Sequence, residues 1–351
     1  MTRPPLPVED LDLILSETET FWQAFRGARL LVTGGTGFIG SWLVETVLRA
    51  NAERGADIRL AVLTRAPEHA CRTAPHAFVN EAVELIAGDV TTIEPKLGSI
   101  DACIHAATDV GEPVRAADHL AVFDSCVTGT RRILDACIAG GARHFLLLSS
   151  GAVYGTQPTN IDNMPELMLW APDTSDPASG YGEGKRAAEW LASAYAARAN
   201  FSVAIARIYA LIGPNLPLHG NFAAGNFIRD ALAGMPVRIK GDGRSLRSYL
   251  YMADACIWLL RMIATAAPSG ARQCYNLGSE KAISIAELAQ RVVLGSGQSV
   301  EVMTQGLSVL PPPRYVPNTG KARAALGVAE YTDLDTAIGK TIAWTRKSTP
   351  F

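Results

Sequence analysis

Residues 30–40 read Leu-Leu-Val-Thr-Gly-Gly-Thr-Gly-Phe-Ile-Gly and place Gly34, Gly37 and Gly40 between an apolar run and an amphipathic stretch. Glycines at this spacing allow a tight turn after a strand, close approach of the backbone to a pyrophosphate, and close packing of the next helix on the strand. The N-terminus of that helix also favours an anion. A glycine-rich turn that binds no ligand has the same triplet, but the flanking strand and helix predict a dinucleotide site that includes Phe38 and Ile39.

The chain on both sides of this loop alternates short apolar runs with amphipathic helices. We expect strands at 29–33, 59–64, 83–87, 102–106, 144–149 and 202–208, and helices at 38–54, 123–139 and 182–199. Strands separated by helices of this length pair in parallel through right-handed crossovers. The pattern therefore predicts an α/β fold, a doubly wound parallel Rossmann domain over 28–208, preceded by one amphipathic helix over 8–27.

The pattern loosens after residue 208, where glycine and proline punctuate it. We expect a helix at 226–233, a strand at 237–240 and a last helix at 332–346, while 248–264 is expected to return to the Rossmann domain. Residues 209–351 are thus predicted to form mainly a smaller α/β cap. Caps over doubly wound sheets usually hold the substrate.

Composition excludes several classes of protein. The 351 residues carry 32 basic and 34 acidic side chains and are 48% apolar, which fits a soluble chain of about two domains. A nearly neutral chain has no broad basic surface for nucleic acid, and no apolar run approaches the ~20 residues of a membrane span. The N-terminus lacks a secretory signal and the cysteines form no Cys-x-x-Cys pair, so we expect a cytoplasmic protein.

Metal ligands are sparse in this sequence. The nearest approach to a cluster is His69, Cys71 and His76, which lack a fourth ligand at zinc-like spacing. We interpret this polar stretch as a solvated loop and expect no metal.

The end of the second predicted strand bears on the choice of cofactor. A Rossmann site for NAD normally has an acidic residue there, on the ribose diol, whereas this strand ends in Thr64-Arg65. An arginine suits the 2′-phosphate of NADP(H), so NADP(H) is the preferred cofactor. In the alternative interpretation, Arg65 stacks on adenine and NAD(H) binds without its usual acidic partner.

Three residues predict proton-transfer chemistry. Ser150 follows the predicted strand 144–149, and Tyr181 and Lys185 are spaced i and i+4 at the start of a helix, so they share one face. A tyrosine is a weak base at neutral pH, but a nearby ammonium and a cationic nicotinamide favour the phenolate, which can move a hydroxyl proton. A surface tyrosine and lysine have the same spacing; the dinucleotide loop and the serine-rich strand end upstream favour a catalytic set.

Together these motifs resemble the extended short-chain dehydrogenase/reductase family, whose members mostly modify nucleotide-sugars. The resemblance covers nearly the whole chain and implies that Ser150 holds the reacting sugar hydroxyl, that Tyr181 exchanges its proton, and that Lys185 holds the nicotinamide ribose and biases Tyr181. It also implies further cofactor contacts, at Asp89, Val90, Ala106, Ala107 and Thr108, beside those of Thr64, Arg65, Tyr181 and Lys185.

The same resemblance implies a nucleotide-diphosphate sugar as substrate. Asn226, Arg247 and Arg314 match positions that grip the diphosphate, a role that suits guanidinium geometry. Each arginine fits a surface ion pair equally well. Family members commonly dimerise through the helix that carries the tyrosine and lysine and through the helix before it, so we expect a homodimer.

Departures from the family pattern narrow the chemistry. Gly151 and Ala152 stand where the resembling dTDP-glucose 4,6-dehydratases have an Asp-Glu pair and where UDP-glucuronate decarboxylases have Glu at the second position, so both activities are disfavoured. Cys126 and Ala210 replace asparagines that usually support the active-site backbone and contact the substrate.

Three functions remain open. The first is a 4-keto-sugar reductase that consumes NADPH, and it is the preferred interpretation. The second is a nucleotide-sugar epimerase whose bound NAD(P) takes and returns the same hydride at carbon 4 of the sugar. The third is a non-catalytic NADP sensor, which the presence of Ser150, Tyr181 and Lys185 disfavours.

Overall fold

A computed structural model describes residues 2–108, 118–198, 201–266, 273–306 and 311–349. Helices and strands are numbered below in chain order over these residues. The helix predicted to end at residue 199 ends at Arg198 in the described part, and residue 199 itself lies outside it.

The centre of the described structure is a sheet of seven parallel strands. They are β1 (Arg29–Thr33), β2 (Arg59–Thr64), β3 (Val83–Ala87), β4 (Ala102–His105), β5 (His144–Ser150), β6 (Ser202–Ile208) and β11 (Gln273–Leu277). Their order is β11-β6-β5-β4-β1-β2-β3. Successive strands are added on one side of β1 up to β3 and on its other side from β4 onward, so the strand order switches between β1 and β4. This arrangement confirms the predicted Rossmann fold and adds β11, a strand that the sequence pattern did not predict.

Helices cover both faces of the sheet. They are α1 (Val8–Glu17), α2 (Glu19–Ala24), α3 (Phe38–Arg54), α4 (Pro67–Thr73), α5 (Pro75–Phe78), α6 (His119–Gly140), α7 (Gly180–Arg198) and α9 (Met252–Ala264). Along β1, Leu30 and Val32 enter the core under α3 and α9, whereas Leu31 enters the core under α6 and α7. This alternation is what a strand buried on both faces requires.

Two short segments correct the sequence expectations. The single helix predicted over 8–27 is two helices, because the chain turns at Thr18, whose hydroxyl donates to the carbonyl of Ile14 at 2.5 Å. The turn directs Phe21 and Trp22 into the core. The stretch around residues 69–76, expected to be a loop, lies largely in α4 and α5, each with a proline in its first turn.

The remaining elements follow β6 and surround α9 and β11 in the sequence. They are β7 (Leu211–Ile212), α8 (Ala223–Leu232), β8 (Val237–Ile239), β9 (Leu246–Arg247), β10 (Leu250–Tyr251), β12 (Ile283–Ser284), α10 (Ile285–Ser296), β13 (Val302–Thr304), β14 (Arg314–Tyr315), α11 (Gly320–Leu326) and α12 (Leu334–Ser348). The helices predicted at 226–233 and 332–346 and the strand at 237–240 correspond to α8, α12 and β8. Helices α10 and α11 were not predicted.

Helix α9 lies within the segment expected to return to the sheet, and it contacts β5, β6 and β11. Nearly all of its side chains are buried, which is why the segment is apolar around its whole circumference. The domain boundaries drawn from the sequence stay predictions. Within the residues described above, none of the helices combines the length and the apolarity that crossing a bilayer demands.

Candidate active site

The glycine loop joins β1 to α3. Gly34 has φ +67°, and a Cβ atom there would lie 2.9 Å from the backbone of Ala106 and Ala107 at the end of β4. A Cβ atom on Gly40 would lie 2.2 Å from the carbonyl oxygen of Gly34. Glycine is therefore required at both positions, so that the loop can turn tightly and α3 can begin close to the strand.

A cavity of about 470 Å³ opens in front of this loop, at the carboxyl ends of β1, β2 and β4. Ligands of doubly wound sheets bind at this switch in strand order. Twelve predicted cofactor residues line the cavity: Gly34, Gly37, Phe38, Ile39, Gly40, Thr64, Arg65, Asp89, Val90, Ala106, Ala107 and Thr108. A backbone cradle without Cβ atoms in front of a helix N-terminus fits a dinucleotide pyrophosphate.

Arg65 and Asp89 form one edge of this cavity. Their guanidinium and carboxylate groups lie 3.9 Å apart, and 64% of the Arg65 side chain is exposed. Burial alone would raise the pKa of Asp89, but hydrogen bonds from the hydroxyl and the amide of Thr91, together with Arg65, hold it below its usual value. Asp89 is therefore ionised at neutral pH beside a cationic Arg65.

Ser150 is the last residue of β5, where the strand passes into a 3₁₀ turn over Gly151–Tyr154. Its hydroxyl oxygen caps this turn by accepting the amide of Ala152 at 3.1 Å. The residue is 7% exposed, and its hydroxyl lies 3.4 Å from that of Tyr315. The turn therefore fixes the position of a serine hydroxyl at the carboxyl edge of the sheet.

Lys185 connects α7 to the cofactor cavity. Its ammonium group donates to the hydroxyl of Thr108 and to the carbonyl of Leu148, both at 2.7 Å, and the residue is 5% exposed. Tyr181 precedes it by one helical turn, with its ring centroid 6.0 Å from the ammonium nitrogen. Thr108 lines the cavity and Leu148 belongs to β5, so Lys185 lies between the cavity and the strand that ends at Ser150, with Tyr181 one helical turn before it.

A buried histidine lies beneath this lysine and was not identified from the sequence. The ring nitrogens of His105, at the end of β4, lie 2.7 Å from the Thr33 hydroxyl and 3.2 Å from the Thr130 hydroxyl. Burial and the positive charge of Lys185 lower the pKa of His105 to about 3. His105 is therefore neutral, and Lys185 contributes the positive charge at this point of the site.

A buried polar network lies behind the segments that carry Ser150 and Lys185. Glu189, one turn after Lys185 on α7, accepts hydrogen bonds from the Ser149 hydroxyl and from the Arg207 guanidinium, both at 2.6 Å. Arg207 also donates to the Tyr154 hydroxyl at 2.8 Å. Burial opposes the charge of Arg207, but the hydrogen bond to Glu189 raises its pKa above the usual value. The network links α7, β5 and β6 directly below the site.

Two tyrosines fill the space beside Gly151. The rings of Tyr209 and Tyr315 lie 4.4 Å apart between centroids, with 35° between their planes. A Cβ atom on Gly151 would lie 2.6 Å from Cζ of Tyr209 and 2.7 Å from the hydroxyl oxygen of Tyr315. A larger residue at 151 therefore requires both tyrosines to move. The sequence showed that Gly151 departs from the dehydratase pattern, but not that Tyr209 and Tyr315 occupy the space beside it.

The predicted substrate residues lie on three different elements, Asn226 on α8, Arg247 on β9 and Arg314 on β14. Arg247 and Tyr315 are paired across β9 and β14, so they share one face, whereas Arg314 lies on the other face. Arg314 there donates to the carbonyl of Asp162 at 2.6 Å. The amide of Asn226 donates to the carbonyl of Gly220 at 2.8 Å. The roles of these three side chains in binding substrate stay predictions.

Cys126, where the family commonly has asparagine, lies at the crossing of α6 and α7. A Cβ atom on Gly184 would lie 2.9 Å from the Cβ atom of Cys126, so the two helices approach closely beside Lys185. Over the described ranges, His, Cys, Asp and Glu side chains form no group of three or more that could hold a metal ion.

The sequence and the fold are similar to those of known proteins. UDP-glucuronic acid decarboxylase 1 of Xenopus tropicalis is 28% identical over 321 residues, covering 91% of this chain and 72% of that protein. The structure of MoeE5 in complex with UDP-glucuronic acid and NAD is 27% identical, with a TM-score of 0.76, and the match covers 92% of this chain and 100% of that chain.

UDP-glucuronic acid 4-epimerase from Bacillus cereus has a TM-score of 0.78 at 21% identity, over 91% of this chain and 99% of its own, which shows the shared fold alone. Residues 30–278 match the family described as the NAD dependent epimerase/dehydratase family, which is well over half of the chain. The resemblance drawn from the sequence motifs is thereby confirmed. The protein belongs to the NAD dependent epimerase/dehydratase family and is an extended short-chain dehydrogenase/reductase enzyme.

Proposed function

We propose that the protein is an NAD(P)-dependent nucleotide-sugar 4-epimerase that acts on a UDP-hexuronic acid. The observation that carries this proposal is the placement of Lys185, with Tyr181 one helical turn before it, against the cavity residue Thr108 and against the strand that ends at Ser150, where the following turn has no carboxylate at Gly151 or Ala152. Such a site has groups for hydride and proton transfer at one sugar carbon, and lacks the acid-base pair for water elimination at these two positions.

When bound, the nicotinamide supplies a reversible acceptor for the hydride on carbon 4 of the sugar. Tyr181 takes the proton of the 4-hydroxyl and returns it when the ketone is reduced on its other face. Lys185, held by Thr108 and Leu148, places its ammonium nitrogen 6.0 Å from the centroid of the Tyr181 ring. Ser150, held by its own turn, hydrogen-bonds the same sugar oxygen. Neither proton nor hydride leaves the site in a complete cycle.

The reductase preferred from the sequence has no support among the relatives, whose names include decarboxylases, epimerases and a dehydratase, and the epimerase alternative is better supported. A reductase consumes one reduced cofactor per product, whereas an epimerase uses its bound cofactor without net consumption.

A decarboxylase is the second candidate, because UDP-glucuronic acid decarboxylases are the relatives at 28–29% identity. Oxidation at carbon 4 of a uronic acid makes the carboxyl group β to a ketone, which predisposes it to loss of carbon dioxide. Ala152 supplies no carboxylate at the position where the resembling UDP-glucuronate decarboxylases have glutamate. The epimerase proposal therefore requires that the site return the hydride before decarboxylation.

NADP(H) is the cofactor we propose, with NAD(H) as the alternative that the names of the solved relatives support. Strand β2 is followed by Arg65 rather than by an acidic residue, and the exposed guanidinium of Arg65 lies at the cavity edge, where a phosphate would find a positive partner. The carboxylate of Asp89 shares this edge and offsets part of that attraction.

We also propose a cytoplasmic homodimer that forms through α6 and α7. These helices pack against each other and carry Ile138 and Trp190, whose side chains are 41% and 69% exposed. Exposed large apolar groups on an adjacent helix pair suit a subunit contact. All six cysteines are free thiols, as expected in a reducing compartment.

The test of the proposed activity is incubation of the purified protein, with NAD or NADP added, with UDP-glucuronic acid, followed by proton NMR. We expect the 4-epimer of the substrate to accumulate without net change in absorbance at 340 nm, and Tyr181→Phe to abolish it. Release of carbon dioxide with a UDP-pentose would establish the decarboxylase instead. Stoichiometric oxidation of NADPH with a 4-keto sugar would restore the reductase.

A further inference from the structure

We propose that Tyr315 is a positioning residue of the active site, whose hydroxyl orients the Ser150 hydroxyl and whose ring, with Tyr209, excludes an acidic side chain beside it. This role deepens the proposed epimerase and rests on it. The two hydroxyl oxygens are 3.4 Å apart although the residues are separated by 165 positions in the chain.

The backbone around Tyr315 is fixed to the segment that follows the Ser150 turn. The amide of Val316 donates to the side-chain carbonyl of Gln157 at 2.9 Å, and the amide of Met164 donates to the carbonyl of Val316 at 2.9 Å. Strand β14 also pairs in parallel with β9, opposite Arg247. Tyr315 is thus anchored on two sides, so its side chain is delivered to Ser150 in a defined position.

The Ser150 and Tyr315 hydroxyls lie within hydrogen-bond distance of each other, and either oxygen can be the donor. The Tyr315 hydroxyl also lies 3.4 Å from the carbonyl oxygen of Ile208, and Ser150 already accepts the amide of Ala152. In the arrangement in which Tyr315 donates to Ser150, both lone pairs of the serine oxygen are engaged. The proton of Ser150 then points to the sugar oxygen, and the proton of the sugar hydroxyl is left to Tyr181.

The ring has a separate role from the hydroxyl. Tyr315 stacks on Tyr209, and the two occupy the volume into which any side chain of residue 151 would extend. Burial, together with the neighbouring Tyr315, raises the pKa of Tyr209 far above its usual value, so Tyr209 remains a neutral phenol. Neutral tyrosines therefore take the place of a carboxylic acid beside Ser150, which limits the chemistry at this point to transfer without elimination.

The experiment compares Tyr315→Phe with the wild type in the epimerase assay with UDP-glucuronic acid. Tyr331→Phe serves as the control, because Tyr331 is exposed and its hydroxyl donates to Glu17, which is not a residue of the site. We expect Tyr315→Phe to lower kcat roughly tenfold, the loss typical of one hydrogen bond, while the affinity for UDP alone, measured by calorimetry, changes less than about twofold.

A double-mutant cycle of Tyr315→Phe with Ser150→Ala in thermal unfolding tests the contact without relying on turnover. We expect the double variant to lose less in Tm than the sum of the single variants. Additive shifts, or a change in KM alone with kcat preserved, would overturn the positioning role. A wild-type protein that converts no UDP-hexuronic acid, but shows the non-additive Tm shifts, would overturn the epimerase and leave the Ser150–Tyr315 contact established.

Discussion

At the scale of single residues, the electrostatics of the site depend on two cationic side chains and on the protonation state of the group beside each of them. Lys185 lies beside a neutral His105, and Arg65 lies near an ionised Asp89. Lys185 is therefore the positive charge next to Tyr181, and Arg65 is the cation at the edge of the cofactor cavity. Each has a consequence that a single substitution measures.

Replacing Arg65 by alanine tests the proposed cofactor preference. We expect Arg65→Ala to weaken NADPH binding about tenfold and to leave NADH binding nearly unchanged, because only NADPH has the 2′-phosphate for the guanidinium to bind. Fluorescence titration of both reduced cofactors measures this. Arg72→Ala, an exposed arginine on α4, is the matched control. Equal weakening of both cofactors would contradict the preference and favour stacking on adenine.

His105 makes stability depend on pH with a known sign. Its pKa falls to about 3 in the folded protein, from 6.5 in the unfolded chain, so between these values the unfolded state binds the additional proton. The free energy of unfolding therefore decreases as the pH falls below 6.5, by up to about 1.4 kcal/mol per pH unit for this group. The contribution is fully present above pH 6.5.

Denaturant titrations at pH 7, 6 and 5 measure this slope. We expect His105→Asn to be less stable than the wild type at pH 7, because Thr33 and Thr130 lose their partner, but to show a shallower decline towards pH 5. His69→Asn, at an exposed position, leaves the slope unchanged. Parallel curves for the wild type and His105→Asn would show that His105 is protonated in the folded protein.

At the scale of elements, the sheet and its main helices follow from sequence pattern, whereas contacts between distant segments do not. Buried parallel strands such as β1 and β5 are continuous apolar runs, and helix α3 follows a glycine loop, so both are predictable. Strand β11 reads Gln-Cys-Tyr-Asn-Leu and has no such run. The approach of Tyr315 to Ser150 depends on how β14 pairs with β9, which no local pattern specifies.

The contact of α7 with β6 predicts a large loss of stability on neutralising Glu189. In Glu189→Gln the buried guanidinium of Arg207 keeps its charge without a carboxylate partner, and we expect a loss of about 3 kcal/mol in the free energy of unfolding. Glu183→Gln, on the first turn of the same helix and in a surface pair with Arg186, is the control and costs less than about 1 kcal/mol. Equal losses in both variants would mean that the Arg207 pair contributes no more than a surface pair.

At the scale of the whole molecule, the N-terminal helix joins the structure to its C-terminal helix. Asp10 on α1 is 1% exposed, accepts the Tyr251 hydroxyl at 2.6 Å and pairs with the ammonium group of Lys340 on α12. A second long-range contact joins β14 to the end of β5, where Tyr315 and Ser150 meet across 165 residues. The site thus depends on the assembled chain rather than on the dinucleotide loop alone.

The central claim is that the protein takes a hydride from carbon 4 of a UDP-hexuronic acid and returns it to the same carbon. The most direct measurement uses UDP-glucuronic acid labelled with deuterium at carbon 4 and follows the product by NMR and mass spectrometry. The account predicts that the 4-epimer retains the deuterium at carbon 4, with no label in added NADH or NADPH and no loss of carbon dioxide. Deuterium in the free cofactor pool, or a UDP-pentose product, would contradict it.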